Sequence, residues 1–104
     1  MIGLYILSGH EPVRVRSVEE WGRWFGSADR HVDRTDLPGG VTISTVFIGV
    51  DHAFGPGPPL LFESMIFGGP HDDEMERCST WAEAINMHQR LCALARTGLS
   101  QCST

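Results

Sequence analysis

The chain has 104 residues, 41% of them hydrophobic, and thirteen acidic side chains against eight basic ones give it a formal charge of −5. That length suits one domain, able to bury about two thirds of its unfolded surface around a single core. The negative balance argues against general affinity for nucleic-acid backbone, and it is too modest and scattered for a DNA-mimicking surface.

All the basic residues are arginine, a bias that a GC-rich genome produces without functional meaning. Three cysteines, Cys78, Cys92 and Cys102, lack C-x-x-C spacing and read as reduced thiols of a cytosolic protein. With no signal peptide and no apolar run of spanning length in view, a soluble intracellular protein without membrane contact is expected.

Ile2–Leu7 is an apolar run that ends at Ser8-Gly9-His10-Glu11, and Val13–Arg16 resumes with alternation, which predicts a first hairpin. Ser17-Val18-Glu19-Glu20 is a capping box, and Val18, Trp21, Trp24 and Phe25 recur at helical spacing, so a short amphipathic helix runs to about Gly26. Its aromatic residues read as core material rather than as a stacking platform. Ser27–Gly40 is polar and closes on Pro38-Gly39-Gly40, the pattern of a connector. Arg30, His31 and Arg34 form its cationic group; a local anion site is one use, but the interleaved Asp29, Asp33 and Asp36 favour surface ion pairs.

The stretch Val41–Gly69 organises the chain. Val41–Val50 and Leu60–Gly68 are rich in β-branched and aromatic residues, and they read as the strands of a second hairpin. The connection Asp51–Pro59 is stiffened by Pro56, Pro58 and Pro59, while Gly55 and Gly57 permit positive φ. Neither strand alternates cleanly, as expected of strands covered on both faces by helices, a partner subunit or a ligand. Glu63 is a carboxylate within an apolar strand; it needs a partner, an arginine or a ligand.

Beyond Gly68-Gly69-Pro70, the acidic run His71–Glu76 lacks the spacing of a calcium loop and reads as a solvated turn. Thr80-Trp81-Ala82-Glu83 is a second capping box, followed by a stripe of Trp81, Ala84, Ile85, His88, Leu91, Cys92 and Ala95 that predicts the longest helix, ending near Thr97-Gly98. His88 lies within that stripe, as a satisfied core histidine or as a pocket residue. The fold expected is α+β: an antiparallel sheet of two β-hairpins with two helices packed on one face, in the order ββαββα, as a single domain over 1–98 with a polar tail over 99–104. The apolar character of both sheet faces predicts a homo-oligomer through the uncovered one.

The run STVFIGVDHAFGPGPPLLFESMIFGG, from Ser44 to Gly69, resembles a family of small proteins encoded widely in bacteriophages and prophages. The similarity extends to Gly9-His10-Glu11-Pro12-Val13, to Trp21-x-x-Trp24-Phe25, to Arg30-His31-Val32 and to Thr80-Trp81-x-Glu83-Ala84-x-x-x-His88, and so covers most of the chain. It implies a phage accessory protein acting in the host bacterial cytoplasm, and it supplies no catalytic residues.

Asp51, His52, Glu63 and His88 are expected to converge at the loop end of the central hairpin. In a binding module, His52, Arg30 and Arg34 meet phosphates, Phe54 stacks a base, and Ser44, Thr45 and Glu63 read polar edges. In an enzyme, His52 or His88 is a general base oriented by Asp51 or Glu63. The sequence carries no nucleophile elbow, His-Glu-x-x-His, P-loop or Rossmann fingerprint, and neither metal nor cofactor is expected. The preferred function is therefore non-enzymatic: a phage counter-defence protein that sequesters a small nucleotide-derived signal of the host. A direct protein inhibitor of a defence effector is the alternative, and a small nucleotide hydrolase is third.

Overall fold

The computed structural model describes residues 3–51 and 55–102, with side chains through Thr97. The elements are β1 (Leu4–Ser8), β2 (Glu11–Val15), α1 (Val18–Ser27), β3 (His31–Leu37), β4 (Val41–Phe47), β5 (Phe62–Phe67), β6 (Met75–Cys78) and α2 (Trp81–Cys102). The class is α+β as expected, but the order is ββαββββα rather than ββαββα. Both additional strands come from segments whose polarity reads as loop. β3 and β6 are the two edges of a four-stranded antiparallel sheet, ordered β3-β4-β5-β6, and charged edge strands are stable because only one of their margins needs a partner.

The first hairpin forms as its turn chemistry predicts, with Leu4 opposite Val15 and Ser8 opposite Glu11. It does not join the larger sheet as a full strand; β1 and β2 make a sheet of their own. The helices divide accordingly. α1 packs against β1 and β2, whereas α2 packs across all four strands of the larger sheet, from β3 to β6. Ser17 caps α1 by accepting from the Glu20 amide at 3.2 Å. At α2 the capping box is complete: Thr80 Oγ1 accepts from the Glu83 amide at 3.1 Å, and Glu83 Oε1 accepts from the Thr80 amide at 3.1 Å. α2 also continues through Gly98 to Cys102, past the point where a tail is expected; one glycine costs a helix only about 1 kcal/mol.

The segment after β4 joins the two sheets. After Phe47 the chain turns at Gly49, whose φ is +72°, and runs alongside β1, with Val50 bridged to Leu4. The Gly49 carbonyl accepts from the Tyr5 amide at 2.8 Å and from Trp21 Nε1 at 3.1 Å. A Cβ here would lie 3.1 Å from both Trp21 Nε1 and the Tyr5 carbonyl oxygen, so glycine is required by space as well as by conformation.

The core lies between α2 and the inner face of the larger sheet. One apolar cluster gathers Val41, Ile43, Ile66, Leu91, Cys92 and Ala95, and a second gathers Phe47, Leu61, Phe62, Ala84 and Met87. In the second, Trp24 of α1 meets Phe47 edge-on at 5.7 Å, which ties the small sheet to the main core. Gly49→Ala is expected to lower the unfolding free energy by about 1–3 kcal/mol, measured by urea titration. A neutral effect would mean that the junction relaxes freely.

Candidate functional site

Register and burial divide the expected site residues between two faces of one sheet. Val46 pairs with Glu63, and Thr45 with Ser64. Because neighbouring residues point to opposite faces, Thr45 lies beneath α2 while Ser44 and Glu63 lie on the outer side.

Beneath α2, Thr45, Ser64 and His88 are all buried. His88 Nδ1 lies 2.6 Å from Thr45 Oγ1 and Nε2 lies 2.8 Å from Thr35 Oγ1. Thr45 Oγ1 is in turn hydrogen-bonded to Ser64 Oγ. Asp33 Oδ2, on the half-exposed rim, stands 3.7 Å from His88 Nε2. That carboxylate favours the tautomer with the proton on Nε2. Nε2–H then donates to Thr35, Nδ1 accepts from Thr45, and Thr45 accepts from Ser64. Among the described residues no buried side-chain nitrogen or oxygen lacks a partner. Both nitrogens of His88 are thus engaged inside the core, the geometry of a structural histidine rather than of a general base.

The outer face holds the polar residues in ion pairs. Glu63 accepts from Arg77 Nε at 3.0 Å, across the β5–β6 pair, and Arg34 is paired with Asp36 at 3.3 Å. Arg30 serves the fold instead: its guanidinium lies 3.8 Å above the Phe25 ring and donates to the Phe47 carbonyl. Asp51 clamps the ends of the proline loop, its amide donating to the Gly3 carbonyl at 3.0 Å and its Oδ1 accepting from the Leu60 amide at 3.1 Å. His52 and Phe54 lie outside the described residues. The sheet itself therefore keeps His88 and Thr45 apart from Glu63 and Ser44, and the expected convergence of Glu63 with His88 does not form. Among the described residues, no cluster of three or more His, Cys, Asp or Glu side chains is arranged to hold a metal.

The structure opens instead at one end of the core, where the tip of the first hairpin, the proline loop and the start of α2 meet. There a cleft of about 540 Å³ is lined by Tyr5, His10, Pro12, Pro58, Pro59 and Trp81, among others. The His10 ring stacks on Trp81 with centroids 3.8 Å apart and planes within 4°. Behind it an aromatic series continues inward, from Trp81 to Phe62 at 6.2 Å and from Phe62 to Phe47 at 5.2 Å. None of these lining residues is among the expected site residues. The signals available are the proline-stiffened loop of the central hairpin and the aromatic residue at the first helical position after a capping threonine.

Comparison with protein-family models, curated proteins and solved structures finds no match. Among the described residues no helix is long and apolar enough to cross a membrane.

Burial holds the His88 imidazole below its ordinary 6.5, against a smaller opposing pull from Asp33. The unfolded chain takes up a proton at this residue near pH 6.5, whereas the folded chain does so only at lower pH. In that interval the unfolded state binds more protons, so stability falls as pH falls. Urea unfolding between about pH 7 and about pH 5 is expected to show this decline, and His88→Gln to remove most of it. An unchanged slope in the variant would assign the pH dependence to other groups.

Proposed function

We propose that this chain is a non-enzymatic phage counter-defence protein that binds and sequesters a small nucleotide-derived signal, and that the aromatic cleft is where the ligand sits. The observation that carries this reading is the parallel His10–Trp81 stack beside Pro58 and Pro59 in a 540 Å³ cleft. The exposed His10 ring, held at van der Waals spacing on the half-buried Trp81 and flanked by rigid prolines, offers a ready surface for a planar base, and stacking on an aromatic side chain contributes about 1–3 kcal/mol per base. The size of the opening falls within the range of small-molecule sites, about 300–1,000 Å³. The resemblance to phage-encoded proteins supplies the biological setting, and the structural role of His88 weighs against hydrolysis through that residue.

Incubation with a panel of cyclic and ADP-ribose-type nucleotides, followed by mass spectrometry of bound and heat-released species, tests the proposal. Intact ligand should be released. His10→Ala, at an exposed turn, is expected to weaken binding about tenfold without changing the circular dichroism spectrum. Altered product would favour the hydrolase, and binding unaffected by His10→Ala would place the ligand elsewhere.

The outer sheet face supports self-association as a second element of the proposal. Val46 and Met65 are half-buried there, and Phe67 and Met75 are 47% and 37% exposed. Its Arg34–Asp36 and Glu63–Arg77 pairs balance each other, leaving a neutral face on a chain of charge −5. Two copies meet there with least repulsion. Light scattering should give a dimeric mass for the native chain and a monomeric one for Phe67→Glu. A monomeric native chain would reject the dimer and leave that face for the direct-inhibitor alternative.

A further inference from the structure

The aromatic cleft does not end at Trp81. It meets a second cleft at Ser79, a lining residue of both, and this neighbour, about 350 Å³ in volume, is lined by Arg77, Asn86 and Arg90 together with Leu60, Cys78 and Glu83. The two openings lie on either side of the start of α2. Resting on the proposal that the aromatic cleft holds the ring of a ligand, we propose that the arginine-lined cleft is the phosphate subsite for that same ligand, so that the protein selects a base carrying a phosphate one sugar away.

The donor inventory supports this assignment. A guanidinium carries five N–H donors. Arg77 directs Nε and Nη2 at Glu63 Oε2, and Arg90 directs Nη2 at Glu76 Oε1 at 3.0 Å. On the α2 side that bond holds the Arg90 guanidinium in place and leaves it further N–H donors for an incoming anion, with the neutral amide of Asn86 in the same lining, while Arg77, its guanidinium held by Glu63 on the outer sheet face, adds positive charge at the margin of the cleft. The paired carboxylates hold the arginines in position, which reduces the ordering cost when an anion arrives.

The acidic lining residue, Glu83, is committed elsewhere. Its Oε1 accepts from the Ser79 amide at 3.2 Å, from the Thr80 amide at 3.1 Å and from Thr80 Oγ1 at 3.2 Å. Its Oε1 is thus turned toward the helix cap. Cys78 contributes no negative charge at neutral pH, because burial and the nearby Glu83 raise its thiol to about 11. The positive end of the α2 dipole lies at the shared boundary and further favours an anion.

Isothermal titration with adenosine, adenosine 5′-monophosphate, ADP-ribose and inorganic phosphate, on the native chain and on Arg90→Gln, tests the subsite. Arg90 is exposed and outside both apolar clusters, so the variant should fold; circular dichroism checks this. The phosphorylated probes should bind at least about tenfold more tightly than adenosine, with an advantage that shrinks in added salt. Arg90→Gln should remove most of that advantage and leave adenosine affinity unchanged. Equal affinities for adenosine and its monophosphate, or an equal loss for both in the variant, would overturn the phosphate subsite while sparing the aromatic cleft. Binding of inorganic phosphate without adenosine would refute the shared ligand, and failure of all four probes would sink both proposals.

Discussion

The structure depends on the polar layer through which α2 is fastened to the sheet. His88 sits between two apolar clusters, and its two nitrogens reach hydroxyls on two different strands, Thr45 of β4 and Thr35 of β3. Apolar contacts tolerate sliding, since they are proportional to area and have little direction. Buried hydroxyls do not, because each one left without a partner costs about 1–3 kcal/mol. Moving α2 by one turn would take His88 away from both Thr35 and Thr45. The layer thereby selects one docking of helix on sheet from the several that hydrophobic burial alone would allow.

That docking determines what happens at the two ends of the helix. At its start, Trp81 is carried onto Phe62 and out to the tip of the first hairpin, where His10 covers it. Thr80 and Glu83 close the helix end on themselves. The open ground between the hairpin, the proline loop and the helix start becomes the aromatic cleft, and the ground between the helix and β6 becomes the arginine-lined one. Rigid elements therefore border both openings. This arrangement suits capture of a ligand, for which preformed shape lowers the cost of binding.

The remaining polar residues serve boundaries. β3 and β6 are charged edge strands, resistant to pairing with other chains through their free margins. The ion pairs on the outer face neutralise charges that would otherwise lie among methionine and phenylalanine side chains. Gly49 is a boundary of another kind, turning the chain out of one sheet and into contact with the next.

Much of this was written locally. Both helix starts follow from capping boxes, both hairpins from turn residues between apolar runs, and His88 from its place in the stripe of α2, because these signals depend on neighbours within a few positions. Two strands were hidden, since an edge position accepts a polar segment such as HVDRTDL that has no strand-like composition. Pairing decided those. Which sheet face each polar side chain occupies was also a matter of register: one step separates Thr45, locked to His88, from Ser44, and one step separates Ser64 from Glu63. The residues lining the clefts come from Tyr5, His10, Pro58, Arg77, Trp81 and Arg90, spread over most of the chain. Sequence alone determined the elements and their caps; only tertiary packing, which sets the register of strands and the docking of α2, decided which side chains share a site.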